Sequence, residues 1–196
     1  MKSPYENLSV SAWHERTLEL IDRHPLHPDE IYEVVHEVWS SIFNSGIGSK
    51  PFRIGQELFP RPQVMGFFLH ELIPLEFGFR YPGIWKREEA TGEKDMVFVP
   101  DSNFSVEIKT SSSKNKIYGN RSFAQKTSTS KKSKSGYYLA INFQKFSKNI
   151  IAPEIRLVRF GWLDHDDWIG QKAASGQQAR LSSDVETFKL LVLPLK

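Results

Sequence analysis

Apolar positions recur at helical spacing through the first third of the chain and at strand spacing through much of the remainder. From Leu8 to Arg23 they fall at 8, 10, 12, 13, 18, 20 and 21, an imperfect stripe that stops before the proline-containing segment HPLHP. Asp29 to Asn44 is cleaner. Ile31, Val34, Val35, Val38, Trp39, Ile42 and Phe43 repeat at steps of three and four, with Pro28 just before them and Gly46 and Gly48 just beyond. A Gly-, Pro- and Ser-rich loop covers Ser45 to Phe52. A third helix is then expected from Pro62 to Leu75, with Val64, Phe67, Phe68, Leu72 and Leu75 on one face and Pro74 limiting its end.

The period changes after Ile84. Asp95 to Val99 is a short, mostly apolar run, Pro100 to Asn103 is turn chemistry, and Phe104 to Thr110 alternates, with Phe104, Val106 and Ile108 on one face. This predicts a hairpin. Ser111 to Ser135 is rich in Ser, Lys and Asn, with room for one short helix around residues 121–127. Tyr137 to Phe143 and Ile155 to Leu163 read as two further strands, and Phe188 to Leu195 as an edge strand ending at Pro194. Three helices followed by strands, without a repeat or an evident linker, predict one α/β (α+β) domain over 1–196. Its parts are a helical 1–80, a sheet core over 84–163 and a C-terminal part over 164–196.

Composition adds an asymmetry. The 26 Lys and Arg exceed the 23 Asp and Glu by only three, yet residues 1–107 carry 17 acids and 10 bases, whereas residues 108–153 carry 10 bases and no acid. A stretch of that length without a carboxylate points to an anionic partner. The absence of cysteine excludes a disulfide framework, a thiolate metal site and a cysteine nucleophile, and fits a reducing compartment. Neither a signal-peptide core nor a bilayer-length apolar run is present, so a cytoplasmic protein without a membrane partner is expected.

The hairpin carries the candidate chemistry. Residues two apart on a strand share a face, so Glu107 and Lys109 project together, away from Val106 and Ile108. If the strands pair around the 100–103 turn, Asp95 falls near the level of Lys109. Two carboxylates with open positions between them suit Mg²⁺, which prefers oxygen ligands, keeps several waters and accepts a phosphate oxygen. A lysine beside them can orient a water and offset developing charge, which together describes hydrolytic phosphoryl transfer. The bland alternative is a cross-strand ion pair on a solvated sheet face, worth about 0–1 kcal/mol.

The spacing of Asp95 and Glu107-Ile108-Lys109 resembles the PD-(D/E)xK nuclease superfamily. The Pro-Asp dipeptide is displaced here: Lys94 precedes Asp95, and the true dipeptide Pro100-Asp101 lies in the turn, leaving Asp101 as the reserve acid. The longer strings around residues 92–98, 104–113 and 118–125 are similar to type II restriction endonucleases of the ScaI family. The resemblance implies a mixed central β-sheet flanked by helices. It further implies a metal held by Asp95, Glu107 and Ile108, a catalytic role for Lys109, and help from an acid on a preceding helix, for which Glu71 is better placed than His70 or Glu76. Cleavage of double-stranded DNA at a short palindromic site, a homodimer and a cognate methyltransferase are implied as well. A junction resolvase or repair nuclease, and a non-catalytic DNA-binding module, are the rival readings.

The acid-free stretch supplies candidate DNA contacts. Lys114, Lys116, Arg121 and Lys126 can displace counterions, the short hydroxyls of Ser111, Ser112 and Ser113 can bond phosphate oxygens, and Tyr118 lies among them. Asn115, Asn120, Gln125 and Arg121 are of the types that read adenine and guanine edges. The N-terminal helices are expected to build the dimer surface, the stripe on 29–44 serving either there or in the core. Asp164 to Asp167 reads as a turn of solvated charges rather than a cation site.

Overall fold

The computed structural model describes residues 2–124, 133–171 and 177–195. The helical half comprises α1 (Val10–Asp22), α2 (Pro28–Asn44), a two-residue hairpin of β1 (Gly46–Ile47) and β2 (Phe52–Arg53), and α3 (Pro62–Arg80). The strands β3 (Trp85–Arg87), β4 (Met96–Phe98), β5 (Val106–Ser111), β6 (Tyr118–Asn120), β7 (Gly136–Phe143) and β8 (Ile155–Leu163) follow. The chain closes with β9 (Ile169–Gly170), β10 (Gln178–Arg180), α4 (Ser183–Phe188) and β11 (Leu191–Val192).

Six strands form one mixed sheet in the order β11-β8-β7-β5-β4-β3, with β5 and β7 parallel and the other neighbours antiparallel. Strand β7 is buried along its whole length because both faces of the sheet are covered. Tyr137, Leu139, Ile141 and Phe143 enter the core formed with the helices, while Tyr138 and Ala140 enter a second core with Ile117, Trp168, Ala179, Leu181, Val185 and Leu190. That second core is roofed by the small sheet β6-β10-β9 and by α4. The architecture is therefore the expected central mixed sheet with helices on its flanks.

Two expectations about the helices change. The stripe on α2 is core, with Ile31, Val34, Val35, Val38, Trp39 and Ile42 all buried, so it offers no dimer surface. Helix α3 runs straight through Pro74 to Arg80. An interior proline costs about 3 kcal/mol, and continuing the helix past it buries Phe77 completely, which recovers roughly 2 kcal/mol of that cost. The inward face of α3 is Met65, Leu69, Ile73 and Phe77, so Val64, Phe67 and Leu75 point outward. At the other end of the chain α4 takes Phe188, so the expected C-terminal strand shrinks to β11.

The acidic run at 164–167 is the expected turn, with Asp166 exposed, but Asp164 and Asp167 are not solvated charges. Buried Lys189 places Nζ 3.1 Å from Asp164 Oδ2 and 2.9 Å from Asp167 Oδ1, over the rings of Tyr5 and Trp13. Burial holds the Asp167 carboxyl above its ordinary pKa, even against the pull of Lys189.

Candidate active site

Strands β4 and β5 share one ladder pair, Met96 with Val106, which sets Asp95 opposite Glu107 and not at the level of Lys109. The connection is wider than a tight hairpin. A 3-10 turn occupies Ser102–Phe104, and the Phe98 N–H bonds the side chain of Ser105 instead of a strand carbonyl. Asp95 sits at a bend before β4, where its Oδ2 accepts the Ile108 N–H at 2.7 Å. Asp101 spends its carboxylate on the turn, accepting from the Asn103 N–H at 3.0 Å, so Asp95 is the acid at the sheet.

Val106 and Ile108 point into the helical core, and Glu107 and Lys109 share the opposite face, as the alternation requires. That face is not solvated. Glu107 is only 3% exposed, so the pair is no surface ion bridge. Burying charged groups is costly, and a buried ion pair is weak evidence for stability, which makes chemistry the better account of Glu107.

Two ammonium groups flank that carboxylate. Lys109 Nζ donates to Glu107 Oε1 at 2.7 Å and to the main-chain oxygen of Ile108 at 3.2 Å; Lys94 Nζ lies 4.0 Å from Glu107 Oε2. The bend at Asp95 breaks strand alternation, so adjacent Lys94 and Asp95 both reach the β5 acid and its neighbour. Gly136, at φ +144, makes room: a Cβ there would stand 3.3 Å from Lys94 Cε. Both ammonium groups also stand over aromatic rings, Lys94 Nζ 5.0 Å from the centre of Tyr138 and Lys109 Nζ 4.7 Å from that of Phe123. Burial first, and then the nearby Glu107, push the Tyr138 hydroxyl well above its ordinary pKa, and it donates to the Lys134 carbonyl at 2.6 Å.

These groups fit a divalent metal ion. The donors are hard oxygens, and the Lys109 ammonium is a stand-in cation showing that Glu107 Oε1 and Ile108 O converge on one position. Among the described residues no three His, Cys, Asp or Glu side chains form a metal cluster. Two carboxylates and a carbonyl are instead the sparse set that leaves room for water and a substrate phosphate oxygen.

Asp95 opens onto a cleft of about 1130 Å³. Phe67, His70 and Glu71 of α3 line it, and so do Ser111, Ser112, Ser113, Tyr118, Asn120, Lys145 and Gln178. Glu71 pairs with Arg87 at 3.6 Å, whereas His70 Nδ1 lies 3.6 Å from Asp95 Oδ2. The α3 residue in contact with the acid is thus the histidine, while Glu76 is bound to Arg80.

The loop after β5 is built, not slack. Buried Asn142 donates to the carbonyls of Ser113 and Lys116 at 3.1 and 3.0 Å and accepts from Arg159, which also donates to the Asn115 carbonyl at 3.0 Å. Glu186 takes the Ile117 N–H at 3.0 Å and the Lys116 ammonium at 2.5 Å, so Lys116 anchors the loop. Lys114, Asn115, Tyr118 and Asn120 remain exposed. Arg121 starts the 3-10 turn Arg121–Ala124, which opens the helix expected over 121–127; Gln125, Lys126 and the rest of that expectation lie outside the described residues. The sequence signals for this scaffold were Asn142 and Arg159, polar residues within mostly apolar strands.

A mixed sheet flanked by helices, with an acid, a second acid and a lysine at a bent strand pair, defines a restriction-endonuclease-like nuclease domain. The family model for the ScaI restriction endonuclease matches residues 3–194, and the chain belongs to that family. It is 45% identical over 193 residues to the type II restriction enzyme ScaI of Streptomyces caespitosus, an alignment covering 97% of this chain and 84% of that protein.

Proposed function

We propose that this chain is a Mg²⁺-dependent type II restriction endonuclease that hydrolyses one phosphodiester bond in each strand of double-stranded DNA at a short palindromic site. The observation that carries the reading is Asp95, which opens onto the cleft and is bonded to the Ile108 N–H, next to Lys109 bridging Glu107 and the Ile108 carbonyl, in a chain of this family. Family membership supports restriction over junction resolution, repair or non-catalytic binding.

Asp95 and Glu107, with the Ile108 carbonyl, would hold the ion. Bound there, a divalent cation lowers the pKa of a water and stabilises charge gathering on the phosphate. Lys109 has three N–H donors, two of them on Glu107 and Ile108 here; an ion taking those oxygens would release them toward the attacking water or a phosphate oxygen. Attack forms the new P–O bond as the bond to the 3′ oxygen breaks, giving 5′-phosphate and 3′-hydroxyl ends. Glu71 assists from the cleft wall. Ser111, Ser112, Ser113, Lys114, Asn115, Tyr118, Asn120 and Arg121 form the DNA surface, on which Lys114 is an exposed cation and Lys116 a scaffold. Residues 1–196 act as one nuclease domain, in the cytoplasm, as a homodimer alongside a cognate methyltransferase.

The test is plasmid DNA incubated with Mg²⁺ and either the wild-type protein or Lys109→Ala. Discrete fragments from the wild type and none from the variant are expected. No cutting by the wild type across salt and divalent-ion conditions would overturn the reading.

A further inference from the structure

Helix α3 is apolar on two opposite sides. Met65, Leu69, Ile73 and Phe77, each four residues apart, fill the core. Val64, Phe67, Leu75 and Phe79 lie on the other side, exposed to 43, 59, 49 and 83%. Isolated apolar residues are normal on a protein surface, but four aligned along one helical face form a patch of the kind that marks an interaction site.

We propose that this outward face of α3 is where two copies of the chain meet, antiparallel, about a twofold axis passing beside Glu71. The stripe is self-complementary about that residue. Phe67 and Leu75 stand four positions to either side of Glu71, and Val64 and Phe79 stand seven and eight positions away. Antiparallel pairing sets Phe67 against the partner's Leu75 and Val64 against the partner's Phe79, the reciprocal pattern an isologous contact demands. Glu71, the polar member of the stripe, brings its own counter-charge in Arg87 at 3.6 Å, so two copies meet with charge balanced. The four side chains expose about 450 Å² per copy, roughly half of the ~800 Å² per partner of a standard interface. Tyr81, Ile84 and Val99, joined beyond the end of α3 by main-chain hydrogen bonds, are exposed as well and extend the apolar surface.

A second copy is the occupant that the site itself calls for. Phe67 and Glu71 belong both to the stripe and to the cleft that Asp95 opens onto, so a copy docked here brings a second cleft alongside the first. DNA is a poor occupant, because Val64, Leu75 and Phe79 offer phosphates no donor. The inference rests on the reading of the chain as an enzyme that cuts both strands.

The experiment is sedimentation of the full chain at micromolar concentration, with the double variant Leu75→Glu/Phe79→Glu and the milder Phe79→Ser. The wild type should sediment as a dimer. The double variant should be a monomer with unchanged circular dichroism, its self-association weakened at least about thirtyfold. On supercoiled plasmid it should accumulate nicked circles before linear product, and Phe79→Ser should fall between. A wild-type monomer, or a double variant that stays dimeric, overturns the interface. A dimer that the variant splits, in a protein that cuts no DNA, keeps the interface and removes the nuclease reading instead.

Discussion

The Lys109 ammonium stands 2.7 Å from Glu107 Oε1, and the same nitrogen is 3.2 Å from the main-chain oxygen of Ile108. An internal cation thus occupies two of the oxygens proposed as metal ligands, so a metal bound there would compete with the lysine for them. Lys109→Met should bind a divalent ion more tightly than the wild type while cutting DNA about 10²–10³ times more slowly, the usual loss when one charge-stabilising group is removed. Glu107→Gln should lose both properties. Calorimetric titration with Mn²⁺ or Ca²⁺, beside the plasmid assay, separates them; weaker ion binding by Lys109→Met would refute the competition.

Lys94 approaches the same carboxylate from its other oxygen, at 4.0 Å. Lys94→Met keeps an unbranched side chain and removes the charge, including its contact with the Tyr138 ring. Two opposite charges at this distance interact by about 4 kcal/mol at an effective dielectric of 20 and by less where water penetrates, so the expected effect is a ten- to hundredfold fall in kcat. KM for DNA should hold, because Lys94 is buried. A Lys94→Met enzyme with wild-type kcat would make the residue a packing element only.

The approach of α3 to β5 fixes the cleft wall. A Cβ on Gly66 would stand 2.6 Å from Thr110 Oγ1, so Gly66→Ala either turns the Thr110 hydroxyl away or pushes the helix off the strand, and the second outcome, carrying His70 and Glu71 along, is the one expected. Reduced cleavage and a stability loss of about 1–3 kcal/mol are expected, as for other overpacked cores. Thr110→Ala removes the clashing hydroxyl and leaves its Cβ 3.6 Å away, so the double variant should recover most of both losses. A double variant as impaired as Gly66→Ala alone would locate the strain elsewhere.

How much of this was readable in the residues depends on the length over which a pattern repeats. Helix α2 and strands β7 and β8 are long enough for a period to declare itself, and they stand where it predicts. Strands β3, β6, β9 and β10 have two or three residues each, too few for any period, and β6 pairs with a strand far along the chain. For α3, the proline rule and the face assignment were both local, whereas burial of Phe77 and the choice of inward face are tertiary. The site divides in the same way. Asp95, Glu107 and Lys109 announce themselves by spacing on one strand pair, but the approach of His70 from α3 and of Lys94 around a bend exists only once the sheet has formed.

A histidine outside the site should govern stability in mild acid. His24 is buried among Trp85, Phe104, Tyr137 and Phe160, where its Nδ1 accepts the Leu26 N–H at 3.2 Å. That fixes the proton on Nε2, which donates to the Phe104 carbonyl at 3.0 Å. The ring is therefore held neutral, and burial pushes its pKa from 6.5 down to about 4. The unfolded chain then binds more protons than the folded one between these values. Stability from this group is complete above pH 6.5 and is lost as the pH falls toward 4, by about 3 kcal/mol in all. Denaturant unfolding at a series of pH values should show this slope, and His24→Gln, less stable at neutral pH, should show a flatter one over the same window. An unchanged slope in the variant would assign the acid sensitivity to other groups, Asp167 excluded: its raised carboxyl pKa favours the folded state as the pH falls.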